Sequence, residues 1–209
     1  FVDQLIRERK AEPGQDVVSR LVQFSEAGDK LTDAELRNAL VLMLFGGMDT
    51  TRNQLGLILQ TYMRNPDQWE LLAERPEEFA KPALEEALRA NPTTRWVTRE
   101  ANEDFEYQGL QIEKGTTVHL FTMSSGTDPE AYPDPEINIE AEGRKPHHTF
   151  GGGMHHCLGH YIARADMSVA LPMLAESFTD ISCPGGDTWL PDSGNHGPIR
   201  LRITAAVRE

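Results

Sequence analysis

The stretch Phe150-Gly-Gly-Gly-Met-His-His-Cys157-Leu-Gly159 presents one cysteine from a glycine-rich loop at the predicted start of a helix. A helix N-terminus offers unpaired N–H groups and the positive end of the macrodipole, which lower a thiol pKa and leave sulfur available as a nucleophile or metal ligand. After the cysteine, Leu158, Ile162, Ala165, Val169 and Met173 recur at helical spacing and predict an apolar face, with Arg164 and Asp166 off it. Pro172 falls inside this helix, where it is expected to kink or end it.

Three chemistries compete for the cysteine. A buried structural thiol is the plainest, but Gly151, Gly152, Gly153 and Gly159 cost backbone entropy that a core cysteine does not require. A zinc site is the second, because His155, His156, Cys157 and His160 cluster and two of the histidines stand i, i+4. Its weakness is that Cys183, the other cysteine, sits in a Pro/Gly-rich tail without a partner ligand nearby. The third is a haem iron with the thiolate as axial ligand, which asks for an open loop, N–H groups around sulfur and cations for the propionates. That reading uses all the features at once.

Three patterns lie upstream. Residues 31–63 read as one long helix opened by a Thr32/Glu35 capping box, with Leu36, Ala39, Leu40, Met43 and Leu44 as its buried face. Gly46-Gly47-Met48-Asp49-Thr50-Thr51 interrupts it with two poor helix formers and then polar side chains. Paired glycines admit a close ligand, and a hydroxyl beside a carboxylate can bond a carbonyl, a water or an oxygen species; a helix merely weakened by glycine is the plain alternative. Pro82-Ala-Leu-Glu-Glu86-Ala-Leu-Arg89 reads as a short helix with proline in its first turn, whose charges surface pairing alone would explain, Glu85 with Arg89 or Glu86 with Arg89. Arg99 is followed by Asp104 and Gly109. Between these motifs and the cysteine, 105–112 and 116–121 alternate across Glu113-Lys114-Gly115 as a hairpin, and 124–149 is a meander without periodicity.

In this order and spacing the motifs resemble the cytochrome P-450 family of haem-thiolate monooxygenases, its soluble bacterial members above all. The resemblance implies a mainly α fold with small β-sheets (α+β), haem b as cofactor, and insertion of one oxygen atom from dioxygen into a small apolar organic substrate with electrons from a ferredoxin-type partner. Other reactions of the same fold, peroxide-driven oxidation or dehydration, are the nearest alternative; a non-catalytic haem or zinc binder is the other. It implies Cys157 as iron ligand, Phe150 beside the sulfur, and Gly151, Gly153 and Gly159 shaping the loop. It further implies His155, His147 and Arg99 toward the propionates, Gly46 and Gly47 at the oxygen kink, Thr50 and Asp49 managing protons, and Glu86 with Arg89 in a structural ion pair behind the haem.

The implied partition is 1–30 mid-fold helices, 31–63 the oxygen-binding helix, 77–91 the Glu-x-x-Arg helix, 104–123 a hairpin, 124–149 the meander, 150–176 the cysteine loop and its helix, and 177–209 a C-terminal β region. Two departures stand out. Ser125-Gly126-Thr127-Asp128-Pro129 replaces the family's Asn-Arg-Asp-Pro, and the meander arginine that should join Glu86 and Arg89 is displaced, with Arg144 the available substitute. The likeness extends over nearly the whole chain but only the C-terminal half of the family fold. On that basis the chain alone is expected to be unstable, to bind haem poorly and not to turn over.

Composition narrows the rest. Hydrophobic residues at 39% with 17 glycines among 209 residues suit a folded enzyme portion. A net charge of -13 argues against nucleic-acid binding, and no apolar run reaches the length of a membrane span. Two cysteines point away from a disulfide framework and toward the cytoplasm. Arg144, Lys145, His155, His156, His160 and Arg164 predict a local basic face for a redox partner.

Overall fold

The structure, a computed structural model, describes residues 1–26, 31–191 and 193–208. Positions 27–30 of the predicted 1–30 segment, and 192 and 209 of the predicted 177–209 segment, lie outside the described residues. The chain divides into two units, 1–49 and 50–209.

In the first unit α1 (Val2–Ala11), α2 (Val17–Glu26) and α3 (Asp33–Met48) bury Ile6, Val22, Leu36 and Leu40 against one another. The capping box forms: Thr32 Oγ1 accepts from the Glu35 N–H at 3.2 Å, and the Glu35 carboxylate accepts from the Thr32 N–H at 2.7 Å. Only half of the expected apolar face of α3 goes inward. Leu36 and Leu40 are buried, whereas Met43 and Leu44 are exposed beside Val41, Leu42, Phe45 and Met48, because α1 and α2 cover the first turns of the helix and leave its last turns uncovered. The predicted single helix over 31–63 is also two helices. It breaks at Asp49 (φ −99°, ψ −34°), just after the glycine pair that weakens the ladder.

The second unit opens with α4 (Thr50–Met63), then α5 (Pro66–Glu74) and α6 (Pro76–Ala90), each of the latter two starting on a proline whose missing N–H costs nothing there. Helix α6 lies beside the predicted 77–91 bounds, with Glu77 and Glu78 in its first turn, and Pro82, expected in the first turn, falls inside it. Among the described residues, four two-stranded antiparallel sheets follow. β1 (Trp96–Glu100) pairs with β4 (Thr117–Phe121), β2 (Phe105–Tyr107) with β3 (Leu110–Ile112), β5 (Phe178–Ser182) with β8 (Thr204–Val207), and β6 (Thr188–Trp189) with β7 (Pro198–Arg200). The predicted hairpin of 105–112 with 116–121 is thereby corrected. Gln108 and Gly109, both at positive φ (48° and 82°), make the tight turn inside 105–112, and β4 returns to β1 with Trp96 opposite Phe121.

A four-residue helix, α7 (Thr122–Ser125), leads into 126–149, which has no further helix or strand, and α8 (His160–Ser177) follows the cysteine loop. The core of this unit joins Ile58 and Tyr62 of α4, Trp69 and Leu72 of α5, Phe79, Ala83, Leu84, Ala87 and Leu88 of α6, and Met167, Leu171 and Ala175 of α8. The buried stripe of α8 is thus the opposite one to that read from sequence: Leu158, Ile162, Val169 and Met173 are 60–82% exposed. Helix α8 also runs on through Pro172 to Ser177, held on both sides of the proline by buried Leu171 and Ala175.

The irregular 126–149 segment adds Ile139 to this core and is also tied to it by a buried cation. Arg89 is 1% exposed. Its Nε and Nη2 donate to the two Glu86 oxygens at 3.0 and 2.9 Å, Nη1 to the Gly126 carbonyl at 2.7 Å, and Nη2 also to the Pro135 and Glu136 carbonyls at 2.9 and 3.2 Å. Arg144 is the third member: its Nε lies 3.0 Å from Glu86 Oε1 as an ion pair rather than a hydrogen bond, while Nη2 donates to the Glu136 carbonyl at 3.0 Å. Removing one partner of a buried pair strands the other charge. Arg89→Ala is therefore expected to cost about 3–5 kcal/mol, read as a shift in the denaturant midpoint; a loss below about 1 kcal/mol would assign the pair the small value of an exposed one.

Candidate functional site

Cys157 stands three residues ahead of α8 rather than in its first turn, since Gly159 caps the helix and His160 opens it. The loop supplies the extra residues with turns of its own. Gly151 and Gly153 sit at φ 73° and 62°, a region that a Cβ disfavours, and Gly153–His155 forms a single 3-10 turn. The Gly151 N–H donates to the His148 carbonyl at 2.8 Å, that of His156 to Gly153 at 3.1 Å, and that of Cys157 to Phe150 at 2.9 Å. The loop therefore closes from Phe150 to Cys157, and its thiol is exposed.

Both arms of the loop are fastened to α6. Thr149 Oγ1 donates to the Leu88 carbonyl at 2.8 Å, His147 Nε2 meets Glu85 Oε2 at 2.9 Å, and Arg164 grips Glu85 twice, Nε to Oε1 at 2.7 Å and Nη2 to Oε2 at 3.0 Å. The Arg164 guanidinium also lies 4.3 Å from the centre of the Phe150 ring, within the range of a cation–π contact. Burial pushes the Glu85 carboxyl up, but its hydrogen bonds from His147 and Arg164 and their charges outweigh that and leave it at about 2. Sequence reading missed Glu85 as a site residue by treating it as a surface partner of Arg89. The available signal was its neighbour: Glu85 and Glu86 point about 100° apart on a helix, so one arginine does not serve both.

The other predicted residues are placed as follows. His155 is exposed on the loop, and Arg99 is exposed on β1 with Nη1 donating to the Thr98 carbonyl at 2.8 Å. Gly46 and Gly47 are exposed helical residues with open space where a Cβ would point. Asp49 ends the first unit, exposed, and Thr50 begins α4, half-buried. Both ring nitrogens of His147 are engaged. Its Nδ1 takes the Thr149 N–H at 3.3 Å and its Nε2 faces Glu85, which leaves neither ring nitrogen for a propionate in this arrangement. The predicted basic face is corrected: Arg144 and Arg164 are spent on Glu86 and Glu85, and the large apolar side chains of Met154, Leu158, Tyr161 and Ile162 are exposed around Cys157.

The zinc reading loses its ligand set, because among the described residues no group of three or more His, Cys, Asp or Glu side chains converges on a point. Cys183 is of no help to it. Its Sγ donates to Asp187 Oδ2 at 2.9 Å, which holds the thiol above its usual range. A single exposed sulfur is too poor a donor set for a bare ion, but it would suffice for an iron held by a macrocycle. The residues present fit a haem.

Comparison with known proteins agrees. The family profile described as Cytochrome P450 matches residues 1–203. The chain belongs to the cytochrome P450 family. Among curated P450 relatives, luteothin monooxygenase of Streptomyces thioluteus is 38% identical over 96% of this chain and 50% of its own length. Nocardicin C N-oxygenase of Nocardia uniformis subsp. tsuyamanensis is 33% identical over 98% of this chain and 52% of its own length. The tirandamycin C-bound P450 monooxygenase TamI superposes with a TM-score of 0.88 at 31% identity, over 97% of this chain and 52% of that one. The chain thus spans about half the length of the curated P450 relatives it matches. Family membership implies a haem cofactor, and among the described residues no helix is long and apolar enough to cross a membrane.

The low pKa of Glu85 carries a sign. A carboxyl depressed in the folded state stabilises it above the ordinary value near 4.5, and that contribution disappears as pH falls toward 2. With its side chain 30% exposed, solvent screening reduces the effect to on the order of 1–2 kcal/mol. The stability difference between the parent and Glu85→Gln is expected to shrink as pH falls from about 4.5 toward 2, as followed by chemical denaturation; a difference that does not change between pH 4.5 and 2.5 would refute the pairing.

Proposed function

We propose that the protein is a haem-thiolate monooxygenase that uses haem b and dioxygen to place one oxygen atom into a small apolar organic molecule, with electrons from a ferredoxin-type partner. The observation that carries the reading is the exposed Cys157 thiol, presented by a glycine loop that is closed by the Phe150 carbonyl and braced on α6. It gains support from P450 relatives named as a monooxygenase and an N-oxygenase. Bound haem supplies the iron at which dioxygen is activated, and a thiolate ligand favours O–O cleavage.

Each residue then has a task. Cys157 binds the iron, Gly151 and Gly153 give the loop its left-handed turns, Gly159 begins the turn into α8, and Phe150 shields the sulfur with its ring while its carbonyl holds the Cys157 N–H. His155 and Arg99 face the propionates. The open space over Gly46 and Gly47 favours close approach of a small ligand, Thr50 donates a proton from its hydroxyl, and Asp49 exchanges protons with solvent. Glu86 and Arg89 keep the support behind the loop rigid. The site and its cofactor suit a cytoplasmic enzyme.

Two measurements test this. Reduced, haem-loaded whole protein exposed to carbon monoxide is expected to show a strongly red-shifted thiolate-type Soret band that Cys157→Ser abolishes; an imidazole-type band retained in the variant would sink the assignment. Thr50→Ala in the whole enzyme is expected to divert most reducing equivalents to peroxide while leaving that band intact, and unchanged coupling of electrons to product would remove Thr50 from proton delivery.

A further inference from the structure

We propose that Glu85 is the positioning residue of the cysteine loop, the single carboxylate that fixes both arms of the segment 147–164 to α6 and thereby sets where the Cys157 sulfur stands. Its meaning for catalysis rests on Cys157 being the iron ligand; the bracing itself does not.

Cys157 is exposed, so its place comes from backbone anchors rather than from side-chain packing. Its N–H is bound to Phe150, and Phe150 is reached by Glu85 along two routes. On the leading arm Glu85 Oε2 holds His147, ten residues before the cysteine, and the other nitrogen of that ring takes the N–H of Thr149, the neighbour of Phe150. On the trailing arm Glu85 takes two parallel bonds from Arg164, seven residues after the cysteine, and Arg164 lies over the Phe150 ring. Bidentate pairing fixes direction as well as distance. Glu86, one residue along α6, is committed to Arg89 and the Asn138 N–H and does not replace it. A glutamine at 85 keeps the size but offers one acceptor oxygen to three N–H donors and turns its own NH2 toward one of them.

The test is peptide-resolved hydrogen exchange of the whole protein, with and without haem, on Glu85→Gln and Arg164→Gln, together with the reduced carbon-monoxide spectrum. Both variants are expected to raise exchange across 147–164 by tenfold or more while 58–72 and 76–90 keep parental protection, and to convert part of the thiolate-type band to a non-thiolate form. The effect of the double variant is expected to fall short of the sum of the two single variants, since the two Glu85–Arg164 bonds are lost in each of them. Should Glu85→Gln fail to fold, Arg164→Gln must show the local effect by itself. Parental exchange across 147–164, or a rise spread equally over 58–90, overturns the proposal. Because the haem-free exchange does not depend on the ligand, a positive result there beside an unchanged spectrum in Cys157→Ser would reject the ligand assignment and leave the brace standing.

Discussion

A guanidinium with 1% exposure is the constraint on which the second unit depends. A charge so placed is tolerable only when its hydrogen-bonding capacity is met, and Arg89 meets it with Glu86 and three carbonyls that belong to an irregular segment. The dependence is mutual. Residues 126–149 form no helix or strand, and a cation on a regular helix takes up three of their carbonyls. Contact is tight enough that a Cβ at Gly126 would collide with the Arg89 carbonyl oxygen, and the Tyr132 ring lies 5.1 Å from the guanidinium. The meander is thereby delivered to α6 just where Glu85 and the Leu88 carbonyl receive the cysteine loop.

Helix α6 consequently serves three clients at once. Ala83, Leu84 and Ala87 enter the core, Glu86 and Arg89 face the meander, and Glu85 with the Leu88 carbonyl faces the loop. The adjacent acids Glu85 and Glu86 differ in role only because the helix turns about 100° between them. Their arginines, Arg164 and Arg144, come from opposite sides of Cys157 in the sequence, which makes α6 the rigid reference for the segment between them.

How much of this was legible before the fold was known follows from which features are local. The Thr32/Glu35 box involves a few consecutive residues whose chemistry permits little else, and it read correctly, whereas the Glu86–Arg89 spacing left Glu85 open as the partner and the buried pair was implied only by the family resemblance. The face of α8 did not read correctly, because the helix carries two apolar stripes and periodicity alone does not say which one meets α6. The strand over 116–121 looked like the second half of a hairpin, since sequence proximity favours the nearest partner, yet the Gln108-Gly109 turn closes first and frees it for β1. Arg144 was reached only through the family resemblance, as a substitute, and Glu85 was missed; their contacts span 58 and 79 positions of chain, from Glu86 to Arg144 and from Glu85 to Arg164. No window of sequence contains such pairs.

The same distinction governs the charge around the cysteine. Counting Arg144, Lys145, Arg164 and the histidines along the chain suggested a basic face, but a charge acts at a distance only if it is not neutralised at contact range, and two of the three long cations are neutralised. What remains near Cys157 is Lys145, exposed histidines and the side chains of Met154, Leu158, Tyr161 and Ile162, set on a protein whose net charge is -13. Such a surface attracts at short range, through apolar area, more than it steers from afar. An exposed sulfur amid apolar side chains is also one that packing does not hold, and the backbone bonds at Phe150, Thr149 and the two ends gathered by Glu85 therefore matter more to its position than any residue that touches it.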